Sequence, residues 1–199
     1  MYSKRIKLFA SIILVVALLA FVYMTLMAIK VVNKRHLNTS DGIYISYVSH
    51  SKEIEQKAYH LTQDCKTKLC KIQNLLDYTS NIPYQTDRFQ QNSPQKTIQK
   101  NFGDCDDKSN LLISMLYALE IEAYFVLVPK HIFVIVPLKD DKLFKKGLWI
   151  NEKKYYILES TAKDSKVGFP LQYKLKDIHA IIEPFSNRKI EIKTLKYKL

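Results

Sequence analysis

Residues 8–29 are 22 consecutive positions without a charged side chain, drawn almost wholly from Leu, Ile, Val, Ala, Phe and Met. At about 1.5 Å of rise per residue, a helix of this length reaches across the roughly 30 Å hydrocarbon layer of a bilayer. Lys4, Arg5 and Lys7 precede the stretch and Lys30, Lys34 and Arg35 follow it. Positive charge is therefore nearly balanced across it, and orientation rests on the short basic tail, which favours an inside N-terminus and an outside C-terminal domain. The competing reading is a cleaved signal peptide, whose apolar region is about 7–15 residues and ends at a small-residue cleavage site. Tyr23, Met24, Thr25, Leu26 and Met27 supply no such site. The expected organisation is a basic N-tail (1–7), a transmembrane anchor (8–29), a tether (30–50) and one domain (51–199). That makes a single-pass inner (cytoplasmic) membrane protein whose C-terminal domain is extracytoplasmic, or periplasmic.

The net charge of +12 suggests a nucleic-acid partner at first sight, but six of the 31 Lys+Arg flank the apolar stretch, where there is no acid. Removing them leaves 25 against 19 Asp+Glu, a surplus of +6. No nucleic-acid motif accompanies it, and no nucleic-acid partner is expected. Lys189, Ile190, Glu191, Ile192 and Lys193 alternate as an edge strand does when its charges face water. Four Gly and six Pro in a chain that is 47% hydrophobic exclude collagen-like and low-complexity classes, so a packed core is expected.

Beyond the anchor the hydrophobic period is first helical and then β. Helices are expected over 51–63 and 67–79, the second with Leu69, Ile72, Leu75 and Leu76 on one face, and again over 105–119 with Leu112, Met115, Leu116 and Leu119. Residues 85–101 read as a long polar connection, and an extended stretch is expected at 43–48. Strands are expected at 123–128 and 131–138, joined by Pro129-Lys130, and at 148–151, 154–160, 178–185 and 190–195. Short connections suit antiparallel pairing, so the class is α+β, with N-terminal helices packed on an antiparallel sheet.

Three cysteines do not make a disulfide scaffold. Outside the cytoplasm Cys65 and Cys70 can bridge across the turn between the first two helices; otherwise they are two unrelated thiols. The absence of a paired Cys/His unit argues against zinc, with His60 the one nearby ligand. Cys105 stands apart in Gly103-Asp104-Cys105-Asp106-Asp107-Lys108-Ser109, where a Gly-containing turn delivers a thiol to a helix start. Free N–H groups there favour a thiolate and can hold an oxyanion, whereas Asp104, Asp106 and Asp107 oppose ionisation. A cationic partner is required, and His131, opening a strand and sharing a face with Phe133 and Ile135, provides it. Glu159, at the end of the strand that carries Tyr155 and Ile157, is the expected orienting acceptor for the ring.

These residues together resemble the transglutaminase-like superfamily, of the bacterial transglutaminase-like cysteine peptidase type, over roughly residues 53–165. The blocks are 103–109 with the following helix 110–119, His131-Ile132-Phe133-Val134-Ile135-Val136, and Tyr155-Tyr156-Ile157-Leu158-Glu159-Ser160-Thr161, preceded by a helix ending at Asn81-Ile82-Pro83-Tyr84. The resemblance implies a papain-related core in which Cys105 is the nucleophile, His131 the general base and acid, and Glu159 the orienting carboxylate. It implies a protein or peptide substrate and no cofactor, with cell-envelope proteins as candidate partners. Acids on both sides of the cysteine also look like the calcium-dependent periplasmic proteases of the superfamily, which would give Asp104 and Asp106 an ion-binding role; the alternative is that they complement the helix dipole. Hydrolysis is the expected outcome, as a membrane-anchored protease or amidase, and acyl transfer to an amine fits the same triad; because the third residue of the family is usually Asp, the resemblance also makes Asp164 a substitute for Glu159. A catalytically inactive partner-binding module, or a redox factor working through Cys65 and Cys70, are the rival functions.

Overall fold

Helix α1 (Tyr2–Arg35) contains Ile6–Ile29, which is apolar and exposed on every side. Such a segment is long and apolar enough to cross a bilayer, a property that membrane anchors and signal sequences share. The computed structural model describes residues 2–39, 42–86 and 91–199, and the chain divides into two units, 1–36 and 37–199. Ser40 and Asp41 of the expected tether and residues 87–90 of the expected polar connection lie outside the described residues.

The second unit begins with a two-stranded sheet, β1 (His36–Thr39) and β2 (Gly42–Ile45). Residues 44–50, expected in the tether, lie against the domain: Tyr44 is buried, the Tyr47 N–H donates to Asn110 Oδ1 at 2.9 Å and the Ser49 N–H to Ser114 Oγ at 3.1 Å. Each helix that follows starts at a hydroxyl or carboxylate cap. Ser51 Oγ accepts from the Ile54 N–H to open α2 (Lys52–Thr62), and Thr67 Oγ1 accepts from the Cys70 N–H to open α3 (Lys68–Asn81). Between them Cys65 and Cys70 are joined by a disulfide with Cα atoms 5.5 Å apart.

The connection expected over 85–101 is in part a helix, α4 (Pro94–Lys100). Its signals are Ser93 as cap, Pro94 at the first position and Asn101 in the left-handed region at φ 52, which the polar composition masked. Helix α5 (Cys105–Ala118) follows and is buried along nearly its whole length.

The main sheet has seven antiparallel strands in the order β8-β7-β3-β4-β6-β5-β9. They are β3 (Tyr124–Val128), β4 (His131–Pro137), β5 (Gly147–Ile150), β6 (Lys153–Leu158), β7 (Ala180–Glu183), β8 (Arg188–Lys189) and β9 (Leu195–Lys198). The β3/β4 hairpin turns at Pro129 and Lys130, the latter at φ 57, and pairs Val128 with His131. Along β4, Ile132, Val134 and Val136 face the helices, packing with Leu75, Leu76, Leu112 and Leu116. Phe133 and Ile135 face the other way, into a second core with Val126, Ile157 and the partly buried Phe169, Tyr173 and Ile190.

The strand expected at 190–195 is replaced by short β8, an irregular link and β9. The reason is topological, since β8 and β9 form opposite edges of the sheet. The link 190–194 spans at most about 20 Å, while seven flat strands would set the edges nearly 30 Å apart. The sheet must therefore curl, and the link closes the curl instead of pairing. Asn151 holds it, its Nδ2 donating to Glu191 O at 2.8 Å and its Oδ1 accepting from the Lys193 N–H at 2.8 Å. Basic edge residues survive this change, with Arg188 and Lys189 on one edge and Lys196 and Lys198 on the other.

Closing so short a loop, the Cys65–Cys70 bond stabilises the fold by about 2 kcal/mol on chain entropy. Thermal or urea unfolding of Cys65→Ser/Cys70→Ser should show a loss of that order, and an unchanged midpoint would show the bridge to be without structural weight.

Candidate active site

Cys105 occupies the first turn of α5 because the chain before it cannot relax. The Gly103 N–H donates to Pro83 O at 3.2 Å, Gly103 O accepts from the Gln85 N–H at 3.2 Å, and a Cβ on Gly103 would lie 2.8 Å from Asp107 Cβ. Asp104 then caps the helix, its Oδ1 accepting from the N–H groups of Asp106 and Asp107, each at 3.1 Å. The thiol is partly exposed. It donates to Asp106 Oδ1 at 3.6 Å, and the backbone N–H of Ile132, the residue after His131, acts to lower its pKa.

His131 opens β4 in the interior of the sheet, and Glu159 lies one residue past the end of the neighbouring β6. The ladder pairs Val134 with Leu158, so Glu159 emerges opposite Phe133 and reaches diagonally to the ring. Nε2 of His131 stands 2.8 Å from Glu159 Oε2. Because an ionised carboxylate only accepts, Nε2 carries the hydrogen and Nδ1 is left as the acceptor. The other oxygen, Glu159 Oε1, accepts from the Thr161 N–H at 3.0 Å and its hydroxyl at 2.6 Å. Burial works to raise the Glu159 pKa, but His131 and Thr161 outweigh it and hold the carboxyl below its usual range. Asp164, the substitute acceptor, is exposed in a turn at φ 58 and has no bond to the ring.

Burial pushes the Cys105 thiol far above its ordinary value, Asp106 and Asp104 add to the shift, and the Ile132 N–H opposes it. Burial and the charge of Asp104 likewise push Asp106 up to about 6. The three acids of the block are already engaged with protein donors. Gln91 Nε2 donates to Asp106 Oδ2 at 3.0 Å, and Asn92 donates to Asp107 through its backbone at 2.7 Å and its side chain at 2.8 Å. Among the described residues no group of three or more His, Cys, Asp or Glu converges as a metal site.

Three features went unread in the sequence. Tyr173 stacks on the His131 ring with centroids 5.9 Å apart and planes 18° from parallel, and continues over Phe133 at 6.4 Å. It comes from an irregular segment 42 positions downstream of His131, and no periodicity marks it. Lys108, inside the cysteine block, is 1% exposed, and its Nζ donates to Ile82 O at 2.7 Å and Ser80 O at 3.2 Å at the end of α3. Burial pulls it down to about 8 against the opposing charge of Glu159. The Ser109 and Ser160 hydroxyls are 3.2 Å apart and tie the second turn of α5 to the residue after Glu159.

Residues 55–135 match the core model of the transglutaminase-like superfamily. The segment bearing Cys105 and His131 is thus a transglutaminase-like core; Glu159 lies beyond the matched residues. A search of curated proteins returns no match. Two solved structures are similar. One is a candidate cysteine protease from Cytophaga hutchinsonii, with 17% identity and a TM-score of 0.44 over 76% of this chain and 53% of that one. The other is Legionella pneumophila LapG, with 12% identity and a TM-score of 0.41 over 68% and 85%. The chain spans about half the length of the Cytophaga protein.

Asp106 both touches the thiol and raises its pKa, so Asp106→Asn should increase the thiolate fraction at a given pH. Iodoacetamide should alkylate Cys105 severalfold faster in that variant at pH 8, with mass spectrometry locating the adduct. An equal or slower rate would show that the carboxylate does not govern the sulfur.

Proposed function

We propose that the chain is a membrane-anchored cysteine hydrolase, a protease or amidase, acting through Cys105, His131 and Glu159. The observation that carries this reading is the 2.8 Å His131–Glu159 contact, next in sequence to Ile132, whose N–H acts on the Cys105 thiol to lower its pKa. In this scheme the thiol passes its proton to Nδ1 of His131 as the sulfur attacks an amide carbonyl. The C=O π pair moves onto oxygen, and the Cys105 N–H, the first-turn donor that the Asp104 cap leaves open, stabilises that oxyanion. Collapse breaks the C–N bond, the imidazolium gives its proton to the leaving amine, and a Cys105 thioester remains. Water, deprotonated by the same ring, then attacks the thioester and releases the acid and the thiol. Glu159 holds the tautomer and stabilises the imidazolium; Tyr173 confines the ring plane from one face.

In this reading the folded domain lies outside the cytoplasm, held there by the apolar anchor 8–29, and the segment expected as the lower tether, 44–50, is part of that domain. The Cys65–Cys70 disulfide supports that compartment, since such bonds persist where the environment is oxidising. A protein or peptide substrate and envelope partners follow from the same reading.

One observation favours a second reading, a catalytically silent module that binds a peptide or envelope partner. Burial and two carboxylates keep the thiol protonated, as in an inert cysteine. Alkylation separates the two. An enzyme should show a pH-dependent iodoacetamide reaction at Cys105 that is lost in His131→Ala, and a silent module should show the same slow rate in both.

Turnover of an amide substrate should vanish in Cys105→Ala and His131→Ala. In Glu159→Gln kcat should fall by about 10²-fold or more with the thiol still alkylatable, because the wrong tautomer is then favoured. Asp164→Asn should match the parent. Retained turnover in Cys105→Ala, or loss in Asp164→Asn alone, would overturn the assignment.

A further inference from the structure

A cavity of about 600 Å³ lies at the opposite end of α5 from the cysteine. Its floor is apolar, made by Ile113, Ala118, Ile121 and Pro184, all buried. One wall is a run of aromatic rings: His50 meets Tyr117 edge-on at 5.8 Å, and Tyr117 meets Phe185 at 4.1 Å. Tyr59, Tyr117 and Phe185 are 54%, 46% and 44% exposed, large rings left open to solvent. Glu55, Glu120, Glu122 and Glu183 stand around the rim, and no Lys or Arg is among the described lining residues of a chain that has 31 of them.

Two of these carboxylates are already occupied. Glu122 accepts from Lys153 Nζ at 2.9 Å, and Glu183 accepts from the Ser186 N–H at 2.7 Å. Glu55 and Glu120 have no side-chain partner among the described residues. The last carbonyls of α5 end beside the same cavity and add the negative end of its dipole. An apolar floor, exposed ring faces and an acidic rim complement a group with an aliphatic stem and a cationic head.

Resting on the reading of the chain as a hydrolase of polypeptides, we infer that this cavity is an exosite for a lysine or arginine side chain of the substrate. The stem lies on Ile113 and Ile121, and the cationic head sits against Tyr117 and between Glu55 and Glu120. From Cys105 to Ala118 the helix rises about 20 Å, which an extended peptide covers in about six residues. The basic residue recognised is therefore about that far along the substrate from the bond cleaved, and the site selects protein substrates over short ones.

The test uses the full chain in detergent as Cys105→Ala, so that binding is read without turnover. Isothermal titration with acetyl-Lys-Lys-Lys-amide should show saturable binding that weakens with added NaCl. Glu55→Gln/Glu120→Gln should weaken it at least about tenfold, and Tyr117→Leu, an independent change on the wall, should weaken it severalfold. No saturable binding, equal affinity for acetyl-trinorleucine-amide, or unchanged binding in both variants would overturn the inference. In the chain with Cys105 intact, a lysine-bearing amide substrate should show a raised KM and unchanged kcat in Glu55→Gln/Glu120→Gln. Peptide binding without any hydrolysis would sink the hydrolase reading and leave the cavity's ligand standing, whereas hydrolysis without peptide binding would sink the exosite alone.

Discussion

The start of helix α5 is the constraint on which the rest of the site depends. Gly103 is fixed between Pro83 and Gln85 on one side and Asp107 on the other, where no side chain fits. Asp104 closes two of the orphan N–H groups with one carboxylate oxygen. A cap of this kind contributes about 1 kcal/mol in an open helix. Here the helix is buried, so donors left without a partner would cost about 1–3 kcal/mol each. The helix therefore has one place to begin. A slip of one residue would rotate the first turn by about 100° and carry the sulfur away from Ile132 and the adjoining His131.

The same turn sets the electrostatics. Asp104, Asp106, Asp107 and Glu159 crowd a region whose compensating groups are Lys108 and His131. Lys108 is drawn inside by two carbonyls at the end of α3, so it both ties that helix to α5 and returns a positive charge to the interior. Its depressed pKa shows that carbonyl dipoles only partly replace water. Excess negative charge makes a resting thiolate unfavourable. On the proposed hydrolase reading, nucleophilic attack would couple proton transfer to bond formation, with Glu159 supporting the imidazolium at the moment it appears. That arrangement differs from a standing thiolate–imidazolium pair, and it keeps an exposed sulfur from indiscriminate alkylation or oxidation.

Much of this was legible in the sequence, and the reasons differ from place to place. Helices α2, α3 and α5 announced themselves because Ser51, Thr67 and Asp104 sit where caps belong and the apolar residues recur at helical spacing. The β3/β4 hairpin was marked by Pro129 between two β-branched runs, and the approach of Glu159 to His131 followed from placing their strands side by side. Helix α4 was hidden because its seven residues are polar and its signals, Ser93 and Pro94, are equally those of a loop. The alternation around Ile190 promised a strand, but closure of the curled sheet decides that segment, and such closure is a property of strand order that no local window contains. Tyr173 was silent for the same reason: its contact with His131 spans 42 residues of chain and arises only when the segment after Phe169 folds back over the second core.

The curl of the sheet also explains how the site can be rigid and open together. His131 and Glu159 issue from the ends of β4 and β6, both interior strands with hydrogen-bonded neighbours on either side, and not from the sheet edges β8 and β9. One sheet face packs on α5 and the other on the segment that brings Tyr173, so the imidazole is held by strand pairing, by its hydrogen bond to Glu159 and by stacking at once. Each of these restraints comes from a different part of the chain, and the Ser109–Ser160 contact joins the helix that holds the sulfur to the strand end that holds the carboxylate. Geometry at the reacting atoms is thereby over-determined by the core. On the proposed hydrolase reading, discrimination among substrates would fall to surfaces that the core leaves free to vary, at the far end of α5 and along the loops around it.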